Sequence, residues 1–164
     1  MQPEKQTFPH NVDAEKSVLS ACMLNEDWAK FAIPQLSKEH FHVLTHQSVF
    51  IAMFNLMAKG RPVDIVSVRD YLRSKGSAVK DSELLSLNDN SFSLTSCKWH
   101  LDIVKRCELQ RRLVKFAVEL KAMAETSQED IESVRKQALD MLIPLICDYE
   151  NDAVGDKSAL KDAV

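Results

Sequence analysis

Apolar residues recur three or four positions apart along most of this chain, which is the spacing of one face of an α-helix. In the first 92 residues the pattern is divided into short segments. Asn11 and Asp64 stand where N-terminal helix caps are expected, and Gly60 and Gly76 stand where left-handed C-terminal caps are expected. Residues 1–92 are therefore predicted to form a compact helical head.

Five helices are expected in this head. The first follows Asn11, the second ends before Pro34, and the third ends at Gly60. A fourth ends at Gly76, and a shorter fifth helix covers about 82–87. The residues predicted to point inward are Ala14, Val18, Ala21, Cys22, Trp28, Phe31, Ala32, Val49, Phe50, Met53, Phe54, Leu56, Met57, Ile65, Val68 and Leu72.

The pattern changes from about residue 95, where helical periodicity continues without Gly or Pro as far as Thr126. At 1.5 Å per residue this segment predicts a helix of roughly 40 Å. Ser127 can cap a second long helix that runs toward Tyr149, and two such helices form an antiparallel hairpin. The predicted organisation is all-α: a compact helical head at 1–92, a long antiparallel helical hairpin at 93–150, and an acidic tail at 151–164 that begins a linker.

Pro144 lies inside the second arm of this predicted hairpin. Proline has no backbone N–H to bond to the carbonyl of Asp140, and its ring crowds that carbonyl. The sequence therefore predicts a kink or an end of the helix at Pro144.

The two arms carry apolar stripes with matching helical spacing, so these stripes are expected to close on each other. The residues assigned to hairpin packing and dimerisation are Leu109, Leu113, Phe116, Ala117, Leu120, Val134, Ala138, Met141, Leu142 and Leu145. A second apolar set lies a quarter-turn or more away and is the candidate partner-facing surface: Cys107, Val114, Val118, Ile143 and Ile146. Such a surplus can be covered by the head, another copy of the chain, or a different protein.

Charge is balanced overall but uneven along the hairpin. The chain has 21 Lys and Arg against 24 Asp and Glu, a formal net charge of -3, so no global basic field indicates nucleic acid. Between Lys98 and Lys121 the chain has seven basic and three acidic residues, whereas ten acidic residues follow from Glu125 onward. This asymmetry favours antiparallel pairing of the arms or alternation between subunits.

Candidate chemistry is sparse. The three glycines do not form a phosphate-binding loop, and no nucleophile stands beside a base in a recognisable signature, so no catalytic residue and no cofactor is expected. Four cysteines, Cys22, Cys97, Cys107 and Cys147, form no CxxC pair, which favours reduced thiols in the cytoplasm. No apolar run approaches the roughly 20 residues of a membrane span.

Three histidines, His40, His42 and His46, invite a metal interpretation because His residues four apart can share a ligand face. No cluster of Cys, Asp or Glu completes the set, so a structural role for His46 is favoured and no metal is expected.

Trp99 stands beside basic residues and could stack on nucleic acid. Packing at the junction of head and hairpin is favoured instead, because aromatic residues at helical spacing mostly build core.

Several stretches carry a family resemblance. PHNVDAEKSVLSACML resembles the opening of the N-terminal domain of DnaB-family replicative DNA helicases, and EHFHVLTHQSVFIAMFNLMAKGRPVDIVSVRDYL continues the likeness. The hairpin stretches LDIVKRCELQRRLV and EDIESVRKQALDML follow, and GDKSALKDAV resembles the start of that family's linker helix. The positions that match the family's pattern are Phe41, His46, Phe50, Leu56, Gly60, Pro62, Asp64 and Leu72.

The resemblance implies a cytoplasmic, non-catalytic collar domain without its RecA-like ATPase motor. Hairpins of this family pair into homodimers, three dimers form a collar on the hexameric ring, and the collar receives primase or a helicase loader. Nucleic acid would then be contacted only indirectly.

Two explanations for the absence of the ATPase motor remain open. The chain is either a fragment, which its end inside the helix-like ALKDAV favours, or a free-standing homologue from a phage or mobile element that recruits or inhibits a replication machine. A third possibility is a helical DNA-binding regulator that uses the basic arm around Arg111, Arg112 and Lys115.

Overall fold

The computed structural model describes residues 8–88, 94–126 and 131–159. Helices account for most of these residues, and no strand occurs among them, which confirms the all-α prediction. In chain order the α-helices are α1 (Val12–Leu24), α2 (Glu26–Ala32), α3 (Leu44–Ala58), α4 (Ile65–Ser74), α5 (Asp81–Asn88), α6 (Leu94–Thr126) and α7 (Ile131–Ala159). Short 3-10 turns at Ile33–Gln35 and Lys38–His40 connect α2 to α3.

Local capping explains where several helices begin and end. The side chain of Asn11 accepts a hydrogen bond from the backbone N–H of Ala14 at 2.9 Å, and that of Asp64 accepts from Ser67 at the same distance. Gly60 has φ +64°, the left-handed conformation that closes a helix and that residues with a Cβ rarely adopt. These caps confirm the helix boundaries that the sequence predicts.

The chain divides into two compact units, Met1–Glu108 and Leu109–Val164. The division falls inside α6, whereas the sequence suggested a border near residue 92. One reason is visible in the first unit, where Ser17 Oγ on α1 lies 2.6 Å from His100 Nδ1 on α6. The start of α6 therefore belongs with the head.

In the second unit α7 continues through Pro144 as far as Ala159, beyond the predicted end of the hairpin at 150. Pro144 therefore does not end the helix. Its side chain is exposed, so the missing hydrogen bond falls where water can reach the helix.

The core of the head surrounds α1, which is buried along most of its length. Two aromatic residues depart from the predicted inward set, since Phe31 and Phe54 are each 47% exposed. On α3 Phe54 lies about 120° around the helix from the centre of the buried face, next to its edge at Phe50. Most of the predicted core residues are buried: Ala14, Val18, Ala21, Cys22, Ala32, Val49, Phe50, Met53, Leu56, Val68 and Leu72.

A buried carboxylate on α1 fixes the start of α3. Glu15 is 1% exposed, and its oxygens lie 2.7 Å from Nδ1 of His46 and 2.8 Å from the backbone nitrogen of His42. The backbone N–H of Val43 also donates to Glu15, at 3.4 Å. Because α3 has no side-chain cap of its own, Glu15 holds the two residues that lead into this helix from another helix, by bonding to their N–H groups. The structural role predicted for His46 is confirmed.

Replacing Glu15 tests this link. We expect Glu15→Gln to lower the free energy of unfolding by about 2–3 kcal/mol at pH 7, because a buried charged acceptor loses its hydrogen bonds. Urea denaturation followed by circular dichroism measures the change. Asp13→Asn, an exposed change on the same helix, is the matched control. Equal stability of the Glu15→Gln chain and the unaltered chain would contradict this account.

The loss of stability caused by Glu15→Gln should depend on pH. Burial raises the pKa of Glu15, but hydrogen bonds from His46, His42 and Val43 outweigh it, so the pKa lies below the ordinary 4.5. A lowered folded pKa contributes stability above the unfolded pKa, and this contribution is lost as the pH falls through the folded value. The stability gap between the unaltered chain and Glu15→Gln should therefore narrow below pH 4.5.

Candidate interaction surface

The hairpin unit presents apolar side chains on opposite faces of α7. Val134 and Leu145 are covered, with 7% and 8% exposure, whereas Leu139 and Ile143 are 53% and 54% exposed. At about 100° per residue Ile143 lies roughly 180° around the helix from Val134, and Leu139 lies within about 40° of Ile143. A neighbour that covers the first face therefore cannot also cover the second.

On α6 the predicted packing stripe is only partly covered. Leu109, Phe116 and Leu120 are half-buried, while Leu113 is 43% exposed and Ala117 is exposed. On α7 the remaining stripe residues, Ala138, Met141 and Leu142, are also half-buried. The stripe thus retains apolar surface in the single chain, more than the sequence pattern predicts.

The predicted partner-facing set is divided by the structure. Val118 is 49% exposed and lies nine positions from Leu109, on the far side of α6, and Val114 is half-buried. Cys107 is only 8% exposed and belongs to the first unit, which does not fit a partner-facing role. Ile146 lies outside the residues whose side chains are described.

Sequence reasoning missed Leu139, which is exposed beside Ile143. Its spacing of four from Ile143 was the available signal, because residues four apart on a helix share a face. We define the outer hairpin surface as Leu139 and Ile143 on α7. Val118 does not belong to it, because it points away from the packing stripe of α6 and so away from α7.

Not all of the basic side chains on this part of α6 are exposed to solvent. Arg111 is only 8% exposed, Arg112 is half-buried, and Lys115 alone of these three is exposed. A buried guanidinium is not available to a phosphate backbone, so this part of α6 offers a weaker electrostatic footprint than the residue count suggests. The observation disfavours the DNA-binding regulator.

Trp99 is 65% exposed, so the predicted packing at the junction of head and hairpin is wrong. The start of α6 buries Cys97, Leu101 and Val104, which are three or four positions apart. Trp99 falls off this face, which explains its exposure.

The histidines have separate surroundings rather than a common ligand face. His40 Nδ1 lies 3.0 Å from Ser37 Oγ, the His42 ring stacks on His10 at 4.3 Å, and His46 contacts Glu15. Across the described residues no group of three His, Cys, Asp or Glu is arranged to hold a metal ion.

The thiols of the head are buried. Cys22 and Cys97 are 2% and 0% exposed, and desolvation raises the pKa of Cys22 to about 12 and that of Cys97 above its ordinary value. A buried thiol with a raised pKa forms little thiolate, which is the reactive species. Cys147 lies outside the residues whose side chains are described.

Membrane insertion finds no support in the helices that the structure describes, since none combines the length and apolar character that a span requires.

Comparisons with known proteins agree with this architecture. Residues 7–106 match the family model for the DnaB-like helicase N terminal domain. The chain is 31% identical over 114 residues to the replicative DNA helicase DnaB of Buchnera aphidicola, an alignment that covers 67% of this chain and 24% of that protein. It is 26% identical over 133 residues to the replicative DNA helicase DnaC of Bacillus subtilis, which covers 79% of this chain and 29% of that protein. The chain thus spans roughly a quarter of the length of these curated relatives.

A solved structure has the same fold. The crystal structure of the N-terminal domain of DnaB helicase from Mycobacterium tuberculosis matches with a TM-score of 0.77 at 24% identity, and the match covers 84% of this chain and 99% of that chain. The fold is therefore that of an all-helical N-terminal domain of replicative helicases. By its family match the chain belongs to the DnaB-like helicase N-terminal domains.

Two leucines of α7 provide a matched test of the hairpin faces. We expect Leu145→Ala to lower the free energy of unfolding of the hairpin by about 2–4 kcal/mol, because a covered side chain is removed. Leu139→Ala should change it by less than about 0.5 kcal/mol, because Leu139 is exposed in the single chain. Urea denaturation at low protein concentration measures both. A larger effect of Leu139→Ala would contradict the assignment of faces.

Proposed function

We propose that this chain is a non-catalytic collar domain of a replicative DNA helicase, acting in the cytoplasm through self-association. The observation that carries the proposal is the outer hairpin surface, whose two side chains are about half exposed while the opposite face of α7 is covered. Burying a large apolar side chain contributes about 1.5–3 kcal/mol, so such a surface favours association. The relatives, described as replicative DNA helicases, support the biological setting.

Pairing of two copies suits this surface because it lies on one face of a long helix. In a two-fold dimer the same patch serves both subunits, so Leu139 and Ile143 of one copy can pack against the same residues of its partner. We further propose that three such dimers form a ring-shaped collar and that the collar receives primase or a helicase loader. The motor activity of the full-length relatives is outside this proposal.

A variant of the outer hairpin surface tests self-association. We expect Ile143→Glu to raise the dimer dissociation constant at least about tenfold, which corresponds to about 1.4 kcal/mol, because two carboxylates would be forced into an apolar contact. Size-exclusion chromatography with light scattering measures the mass at several concentrations.

Val66→Glu is the matched control, since Val66 is 59% exposed on α4 of the head and is likewise changed from a β-branched apolar residue to glutamate. The control should leave the dissociation constant unchanged. Equal effects of the two variants would contradict pairing through the hairpin. Salt-dependent DNA binding by the unaltered chain that is lost in Lys115→Glu would instead support the DNA-binding regulator.

A further inference from the structure

The outer face of α3 in the head is unusually apolar for a surface helix. The sequence LTHQSVFIAMFNLMA, Leu44–Ala58, contains no Asp, Glu, Lys or Arg. Its inner face is buried, yet Leu44 is 77% exposed, Phe54 is 47% exposed and Ile51 is 40% exposed. A surface helix normally carries charged residues on its solvent face, so an uncharged α3 has the composition of a helix with a further neighbour. We define the α3 outer face as Leu44, Ile51, Phe54 and the exposed Ala58.

The polar side chains along this face already have partners within the chain. Ser48 Oγ donates to the carbonyl of Leu44 at 3.1 Å, and Asn55 Nδ2 donates to the carbonyl of Ile51 at 2.7 Å. Gln47 Nε2 donates to the carbonyl of Phe41 at 2.8 Å. Covering the face would therefore not remove these donors from hydrogen bonds, which lowers the desolvation cost of docking.

The dimensions of the face fit a single helix. Leu44 and Ala58 are fourteen positions apart, so the face is about 21 Å long at 1.5 Å per residue. One row of side chains on one helix is well below the roughly 800 Å² per partner of a stable interface between two folded proteins. Recognition of an amphipathic helix needs only a few apolar anchors at helical spacing, which this row provides.

Cations gather where α3 ends. Lys59 directly follows Ala58, and its Nζ lies 5.8 Å from the centre of the Tyr71 ring, while Nζ of Lys75 lies 6.0 Å from the same ring. Arg61 is exposed two residues after Lys59. Within the described part of the chain none of these three cations lies in an ion pair with a carboxylate.

A second copy of α3 would not neutralise these cations. In an antiparallel pairing the residues facing them would precede Leu44, where Glu39 is already 3.8 Å from Lys38. In a parallel pairing the same cations would face each other. The charge distribution therefore favours a partner that brings acidic residues of its own.

We propose that the α3 outer face docks one amphipathic helix of another protein, with acidic residues at the end of that helix nearest Lys59 and Arg61. The proposal rests on the docking part of the proposed function and locates it on the head, in a different unit from the outer hairpin surface.

The test uses a labelled synthetic peptide of about five helical turns with leucines along one face and glutamates at both ends, and fluorescence anisotropy. The peptide should bind the unaltered chain with a dissociation constant on the order of 10 μM, and the same peptide with lysines in place of the glutamates should bind at least about tenfold more weakly. Leu44→Glu and Ile51→Glu should each abolish binding, whereas Val66→Glu should leave it unchanged. Lys59→Glu should remove the preference for the acidic peptide.

Circular dichroism shows whether each variant is folded. Leu44→Glu should not disturb folding, because the Leu44 side chain is 77% exposed. Absence of binding up to about 1 mM, or equal binding of the two peptides, would overturn the proposal. So would a loss of self-association, rather than of peptide binding, in Ile51→Glu. Ile143→Glu should lose dimerisation but keep peptide binding, so failure of the hairpin proposal and failure of this one give different results.

Discussion

A two-helix hairpin has one internal interface, and each helix can turn only one face toward it. This constraint governs the C-terminal unit. On α7 the face that carries Val134 and Leu145 is covered, while Leu139 and Ile143 on the other side remain in water. Burying apolar surface of this kind favours association, which is the physical basis of the proposed self-association. Membership in a helicase N-terminal domain family supports that proposal.

The head is built on a different principle, in which buried polar groups position helices. Glu15 on α1 bonds to the start of α3 and to His46, and Ser17 on α1 contacts His100 on α6. These contacts tie three helices that are far apart in sequence. Because the inner face of α3 is packed and its first turn is fixed by Glu15, its outer face stands on rigid support. Surfaces held on rigid elements lose less entropy when they bind.

Local features of the fold could be predicted from the sequence, because they depend on neighbouring residues. Caps at Asn11 and Asp64 and the left-handed Gly60 and Gly76 all form as predicted. Burial of individual side chains was harder to predict, because it depends on which helices come together. Phe54 and Trp99 are exposed although their residue type suggested core, and Arg111 is buried although its charge suggested surface. The partners of Glu15 lie 27 to 31 residues away, beyond the reach of any local pattern.

The central claim is that one copy of this chain cannot cover its own apolar hairpin surface and shares it with a second copy. Sedimentation equilibrium of the unaltered chain over a wide concentration range tests it most directly. The account predicts a mass that rises from that of one chain toward that of two as the concentration approaches about 100 μM. The mass of a single chain at every concentration up to about 1 mM would contradict it.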